Sequence, residues 1–448
     1  MLCPSDSFRT SRPNPMSSSG EQLLVQLATY NTNLQAERGL PQNLVDWLAP
    51  TLQVANFLSQ APRAPDLVAV GFQELLPLHL GLSGLSKHVI DNRNALILSQ
   101  IEEHAPNKEK YSLIAKVVNV GVALLVYGRD DGVARRVEDV QTSWTGCGPM
   151  YMGNKGAVGI RFRVASSEGG VGEVFTFVNA HLTAHTHKLA HRIADYDHIV
   201  RTLLFPPIQG LPKTGSATIY DTSHLFFFGD LNFRLQPLPP SILPNPATSS
   251  MAETVQRIMQ DEFRPKLVEF DQLVQERDQK SRIFVGLREG EFWRFKCTYK
   301  YKLGEVDRYD LKRMPAWTDR IMYSTWRDDP NTPNVSTVTN ALYTSIPSYT
   351  VSDHKPVVSV LLLPPSPSRT TYSQPPTLRL PPHFKPQVDP LANVKRYTGR
   401  VLDRIIGYTW WLLTILGSGP GIVAMLSIGV WGWFRWRWTR DGADRVDV

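Results

Sequence analysis

Polar residues of the kinds that handle phosphate recur along this chain at the ends of apolar runs. Residues 225–228 are four consecutive apolar side chains, a strand buried on both faces, and they run into Gly229, Asp230 and Asn232. Alternate side chains of an extended chain share a face, so Asp230 and Asn232 are expected side by side. Residues 174–178 end in the same manner in Asn179-Ala180-His181, where Asn179 and His181 share a face. Residues 24–28 end in Thr29-Tyr30-Asn31, and residues 66–72 end in Gln73-Glu74. With Asp319, Asp353 and His354 these strand ends supply an oxygen-rich set that holds two histidines.

Such a set fits metal-assisted phosphoester hydrolysis. Hard divalent ions such as Mg²⁺ take oxygen ligands, usually one or two protein carboxylates, and leave positions for water and phosphate. The ion polarises phosphoryl oxygens, one carboxylate orients or deprotonates the attacking water, and a histidine held by a second carboxylate neutralises phosphate charge. Each piece also has a plainer reading. Glu74 could be a helix N-terminal acid, and Asp353-His354-Lys355-Pro356 a solvated turn. His181, His185, His187 and His191 could form a zinc cluster, but no cysteine lies near and a helix from Leu189 would divide them. The joint occurrence of the strand ends favours the hydrolytic reading.

The elements that must position these residues are alternating strands and helices. Strands are expected at the four runs above, at 117–127 as one long β-rich run, at 157–164 and at 356–363; helices at 43–60 with a break at Pro50, 189–204, 251–263 and 266–277. No internal repeat is visible. A chain of 448 residues has ample core material for one large α/β domain with appendages. Its formal charge of +7 favours an anionic partner. The three cysteines, Cys3, Cys147 and Cys297, are widely spaced and suit a reducing compartment. Neither Cys147 nor Cys297 has an arginine six positions on, which excludes a cysteine-phosphatase loop.

Both ends differ from the middle. Residues 1–21 are rich in Ser and Pro, lack the apolar core of a secretory signal, and read as a disordered leader. Residues 364–390 contain nine prolines, so 364–404 reads as a linker without a packed core of its own. Residues 405–434 carry no charge, with tryptophans clustered at both ends, and exceed the roughly 20 needed to cross a bilayer. Gly417-Ser418-Gly419-Pro420-Gly421 interrupts that run, which leaves a kinked span or a re-entrant hairpin; basic residues on both flanks lean to the hairpin, with 435–448 as a basic-aromatic tail.

The residues then become recognisable as a set. Thr-Tyr-Asn at 29–31, Phe-Gln-Glu at 72–74, Gly-Asn-Lys-Gly-Ala-Val at 153–158, Asn-Ala-His-Leu-Thr-Ala-His at 179–185, Gly-Asp-Leu-Asn-Phe-Arg at 229–234, Thr-Tyr-Lys-Tyr at 298–301, Pro-Ala-Trp-Thr-Asp-Arg at 315–320 and Ser-Asp-His-Lys-Pro-Val at 352–357 resemble, in order, the inositol polyphosphate 5-phosphatases. The resemblance covers residues 22–363. It implies an α/β (α+β) fold of the endonuclease/exonuclease/phosphatase superfamily, a four-layer sandwich of two mixed β-sheets flanked by helices and deoxyribonuclease-like, with the C-terminal transmembrane or hairpin segment added.

The resemblance also implies roles. Glu74 looks like the main Mg²⁺ ligand, with Asn31 and Asp353; Asp230 like the carboxylate that activates water, with Asn232 beside it. His354 resembles the histidine on the scissile phosphate, held by Asp319, and His181 a second phosphate contact. Asn154, Lys155, Tyr299, Lys300, Arg320 and Lys355 resemble the family's contacts to ring phosphates that are not cleaved, where cationic donors hold and orient a multiply phosphorylated ring. Tyr30, Ala180, Cys297 and Thr318 depart from the family's usual Trp, Ser, Pro and Cys. The expected partners are a phosphoinositide lipid or inositol polyphosphate, most simply phosphatidylinositol 4,5-bisphosphate, and a membrane, with no nucleic acid and no obligate protein partner. The catalytic domain is expected in the cytosol, anchored to an endomembrane such as the endoplasmic reticulum. A superfamily nuclease and a catalytically dead phosphoinositide-binding adaptor are the competing readings; Tyr299-Lys300-Tyr301 argues against the first, and intact Glu74, Asp230, Asn232 and His354 against the second.

Overall fold

The computed structural model describes residues 22–34, 63–166, 172–208, 215–239, 242, 250–367, 374–415 and 426–433. The helix expected at 43–60, the leader, the glycine cluster at 417–421 and the 435–448 tail lie outside the described residues.

In chain order the main elements are β1 (Leu24–Asn31), β2 (Leu67–Gln73), α1 (Leu78–Ser83), α2 (Ser86–His104), β3 (Tyr111–Asn119), β4 (Val122–Arg129), β5 (Val137–Gly146), β6 (Gly156–Val164), β7 (Glu173–His181), α3 (Leu189–Thr202), β8 (His224–Asp230), α4 (Met251–Ile258), β9 (Arg288–Glu289), β10 (Asp319–Thr325), β11 (Thr339–Ser345), β12 (Val357–Leu362) and α5 (Ala392–Ile415). They form two six-stranded sheets, ordered β11-β12-β1-β2-β4-β3 and β5-β6-β7-β8-β10-β9. The pairs β1–β2 and β7–β8 are parallel and the others antiparallel, so both sheets are mixed.

Period-two alternation builds four layers from these strands. Val25, Leu27, Leu124 and Val126 from one sheet meet Ile160, Phe177 and Phe226 from the other in the central core. The opposite face of the first sheet, with Val68, Val70 and Leu125, packs under Val89, Ile90, Ile97 and Ile101 of α2. Val178, Leu225 and Phe227 on the outer face of the second sheet pack under Tyr196, Ile199 and Val200 of α3. The sandwich of two mixed sheets flanked by helices is therefore the expected one.

Several local expectations differ from what is found. The run 117–127 is two strands, because Val120 adopts φ 55° and turns the chain into a hairpin between β3 and β4. In place of one helix at 266–277 there is a 3₁₀ segment, Arg264–Phe270, then a single α-helical turn, Gln272–Val274, and a π-helical turn, Gln275–Gln279. The proline-rich stretch is not a free linker. Leu378 is buried in the α3-side core, its N–H donates to the Thr222 carbonyl (2.8 Å), the Pro376 carbonyl accepts from Ser223 Oγ (2.6 Å), and Phe384 meets the Tyr220 ring at 5.1 Å. Prolines prevent this stretch from forming its own core, but its isolated apolar side chains fill slots in the neighbouring one. The boundary expected at 404/405 also falls inside α5.

Candidate active site

Strand register brings the chemistry together. In the parallel β7–β8 pair His181 lies opposite Asp230, and in the antiparallel β8–β10 pair Asp230 lies opposite Asp319. Asn31 ends β1 in the other sheet and crosses to the same point: its Nδ2 donates to Asp230 Oδ2 at 2.9 Å. That oxygen also lies 3.3 Å from His181 Nε2 and 4.0 Å from His354 Nε2, while Asp230 Oδ1 accepts from the Asn232 N–H at 3.1 Å. Burial alone would push the Asp230 carboxyl up, but His354, His181 and Lys155 hold it well below the usual carboxylate range, so it is an anion.

His354 is held from the other side. Its Nδ1–H donates to Asp319 Oδ2 at 2.9 Å, and the hydroxyls of Thr298 (2.7 Å) and Thr318 (2.8 Å) donate to the same oxygen. Burial opposes a charge on the imidazole, yet Asp319 and Asp230 bring its pKa up to about 9. Burial pushes the Asp319 carboxyl up as well; with ionised Asp230 on the far side of the ring, the proton the pair shares resides on His354. The site thus contains a fixed anion and a fixed imidazolium, both out of solvent.

A cavity of about 170 Å³ opens beside them, lined by Glu74, Asn154, Lys155 and His181 together with Leu34, Leu76, Leu78 and Val120. Glu74 follows β2 in a left-handed conformation (φ 50°), which turns its side chain into this cavity; its carboxylate is 3.8 Å from His181 Nε2. The Lys155 ammonium sits against His181 Nε2; burial lowers its pKa, and Asp230 and Glu74 partly offset this. Among the described residues Asn154 Oδ1 is buried without a hydrogen-bond partner. The Tyr299 ring lies 4.6 Å from the His354 ring, under the Arg234 guanidinium at 4.3 Å.

Other expected residues are placed elsewhere or held otherwise. Asn232 has φ 57°, so it is presented by a turn after β8 and not by continuation of the strand; its amide is spent on the Leu182 carbonyl (3.1 Å) and on Arg234. Asp353 Oδ2 is paired with Lys300 at 2.7 Å, so a lysine takes one of the two oxygens of a carboxylate expected to serve a metal. Arg320 is a correction to the expected phosphate contacts. It is fully buried between Asp271 (3.1 Å) and Glu289 (2.5 Å), under the Phe292 ring, because alternation along β10 sends it to the face opposite Asp319. Lys355 is a second correction: its fully buried ammonium is tied to the carbonyls of Glu305, Pro347 and Tyr349. Asn179 shares a face with His181 but joins the two sheets, donating to the Phe72 and Ala123 carbonyls. His185 and His187 stack on one another without His181 or His191, and among the described residues no zinc-type group assembles there. Sequence reasoning missed the roles of Thr298, which opens the Thr-Tyr-Lys-Tyr motif, and of Thr318, which stood out as a departure.

Asp230, Asp319 and His354 each offer a ligand atom within 4.8 Å of the others. The three donors already on Asp319 Oδ2 make that group an ion pair. Glu74 is the freer donor, since among the described residues no hydrogen bond saturates its carboxylate, and its open cavity suits a hard divalent ion.

Comparison with known proteins agrees with this geometry. Residues 28–360 match the model of endonuclease/exonuclease/phosphatase family 2. The chain is 31% identical over 337 residues to the mouse type II inositol 1,4,5-trisphosphate 5-phosphatase, covering 75% of this chain and 29% of that protein. It is 30% identical over 309 residues to the human phosphatidylinositol 4,5-bisphosphate 5-phosphatase A, covering 66% and 27%. The chain therefore spans under a third of the length of these relatives. The solved inositol polyphosphate 5-phosphatase domain of SpSynaptojanin, in complex with inositol (1,4)-bisphosphate and calcium ion, superposes with a TM-score of 0.59 at 22% identity over 89% of this chain and 93% of that one, which establishes the shared fold. With strand-end residues in register beside one cavity and a family match over residues 28–360, the chain belongs to the endonuclease/exonuclease/phosphatase family 2.

Proposed function

We propose that this protein is a Mg²⁺-dependent phosphoinositide 5-phosphatase that converts phosphatidylinositol 4,5-bisphosphate to phosphatidylinositol 4-phosphate. The observation that carries the reading is the pairing of an ionised Asp230 with a cationic His354, each fixed by its own hydrogen bonds, beside a cavity walled by Lys155 and Glu74. Asp230 orients or activates the attacking water, its second oxygen fixed by the Asn232 N–H. His354 presents an imidazolium to the phosphate undergoing attack, and Asp319 with Thr298 and Thr318 fixes the ring. Lys155, Asn154 and His181 face the same cavity, while Lys300 and Tyr299 flank His354 and meet the phosphate that is kept. Glu74, assisted by Asn31, would hold the divalent ion, which supplies charge neutralisation of the phosphoryl oxygens. The substrate class is that of the similar inositol trisphosphate and phosphatidylinositol bisphosphate 5-phosphatases. Arg320 and Lys355 have no part in binding.

Phosphate release from a water-soluble, short-chain phosphoinositide with Mg²⁺, compared between the native chain and His354→Ala, tests this. A native chain without release, or a variant that releases as much, contradicts it.

The second part of the proposal is a membrane hairpin in an endomembrane, with the catalytic domain cytosolic. Among the described residues no helix is long and apolar enough to cross a membrane. The support comes from exposure: Ile405, Tyr408 and Leu412 of α5, and Leu426, Ile428 and Trp431 of the helical residues 426–433, are all more than half exposed. Ile405, Ile406, Thr409 and Trp410 line one cavity with Leu426, Ser427 and Val430, as the two arms of a hairpin would. Residues 394–448 fused to a fluorescent reporter should mark an endomembrane; diffuse fluorescence contradicts the anchor.

A further inference from the structure

The C-terminal helix touches the wall of the active-site cavity. Of the residues of α5, Ala392, Gly399, Asp403 and Gly407 are buried, at spacings of seven, four and four that place them on one helical face. A Cβ at Gly399 would overlap the Tyr151 carbonyl oxygen, and one at Gly407 would overlap the backbone nitrogen of Ser83. The helix backbone therefore lies directly on the loop before β6 and on α1. Between those glycines Asp403, 1% exposed, accepts from the Gly153 N–H with both carboxylate oxygens at 3.1 Å. Arg404 donates to the Leu82 carbonyl at 2.6 Å and Arg400 to Asn119 Oδ1 at 3.1 Å.

Gly153 immediately precedes Asn154 and Lys155, which line the cavity together with Leu78 of α1. Both surfaces that α5 grips are thus cavity walls. A carboxylate buried against a single backbone donor is costly: burial raises the Asp403 pKa to about 6, against Gly153, Arg400 and Arg404, which lower it. Such a group contributes placement more readily than stability.

We propose that Asp403 is a positioning residue: through Gly153 the C-terminal helix sets the place of Asn154 and Lys155, so that the apolar continuation of α5 and the mouth of the cavity form one body. The cavity's aim toward a lipid surface then follows from the helix and not from a flexible tether. The functional part of this inference rests on Lys155 meeting substrate.

The test uses the full-length chain, a short-chain phosphoinositide and Mg²⁺, with kcat and KM measured separately. Asp403→Ala should raise KM at least fivefold with kcat within twofold, and Asp403→Asn, which keeps an acceptor for Gly153, should restore the native KM. Gly399→Ala should raise KM in the same way, although alanine is the better helix former; in an undocked helix it would stabilise. It also carries the test if Asp403→Ala fails to fold. Native KM in Asp403→Ala or Gly399→Ala, while Lys155→Met raises it, overturns the positioning role. Asp403→Asn as impaired as Asp403→Ala overturns the hydrogen bond to Gly153 as its basis. Native KM in Lys155→Met overturns the substrate reading of that lysine instead, and the functional part of the clamp with it.

Discussion

Two pairs of cations come from the same set of motifs and have opposite fates. Lys155 and Lys300 are partly exposed, the first against His181 at the cavity and the second against Asp353 beside His354. Arg320 and Lys355 are fully buried, one in a carboxylate cage and the other among carbonyls. Arg320 adjoins Asp319 and Lys355 adjoins His354, so nearness in sequence to a catalytic group did not place either in the site. In a strand the neighbour of a site residue points away from it, as Arg320 in β10 does from Asp319; Lys355 precedes β12 and is turned aside by its carbonyl partners. The cation's partners decide its use: a buried guanidinium satisfied by two carboxylates has nothing left to offer a phosphate.

The contrast can be broken by exchanging what each cation loses. Arg320→Met leaves Asp271 and Glu289 as uncompensated buried charges and should cost about 3–5 kcal/mol of stability, with KM unchanged in the protein that remains folded; chemical denaturation read beside kinetics checks both. A large KM effect with native stability would return Arg320 to the substrate. Next in size is the linkage at His354. Its folded pKa of about 9 exceeds the ordinary 6.5, so the folded protein binds more protons between those values. Its stabilisation is complete below pH 6.5 and is lost as pH rises through 9, a difference of about 3 kcal/mol at roughly 1.4 kcal/mol per pH unit. Unfolding free energies across that window should fall in the native chain and fall less in Asp319→Asn, where Asp230 alone still favours the imidazolium; a flat native profile removes the imidazolium from the account.

Lys155→Met should raise KM about tenfold or more, the loss of one charge-assisted hydrogen bond at ~1.5–3 kcal/mol, with little change in unfolding. The smallest effect is expected at Thr318→Val, which removes one of three donors to Asp319. It should lower stability by about 1 kcal/mol and lower the pH at which His354 loses its proton less than Asp319→Asn does, read by NMR titration.

The sequence made the strand ends legible because buried strands announce themselves as apolar runs and their polar termini follow directly. His181 and Asp230 align in register from two such runs, and Asp319, at the start of β10, joins them. What it concealed depends on turns and on distant segments. The left-handed backbone at Asn232 and Glu74 re-aims side chains that simple alternation places otherwise. Leu378 and Phe384 dock a stretch that composition reads as a linker. The bond from Asp403 to Gly153 joins residues 250 apart in sequence, a separation that no local pattern encodes.

The most direct test of the central claim is hydrolysis of short-chain phosphatidylinositol 4,5-bisphosphate in ¹⁸O-labelled water with Mg²⁺. Asp230-activated water attack predicts label in the released phosphate and a product that keeps its 4-phosphate; release of the 4-phosphate, unlabelled phosphate or no turnover would contradict it.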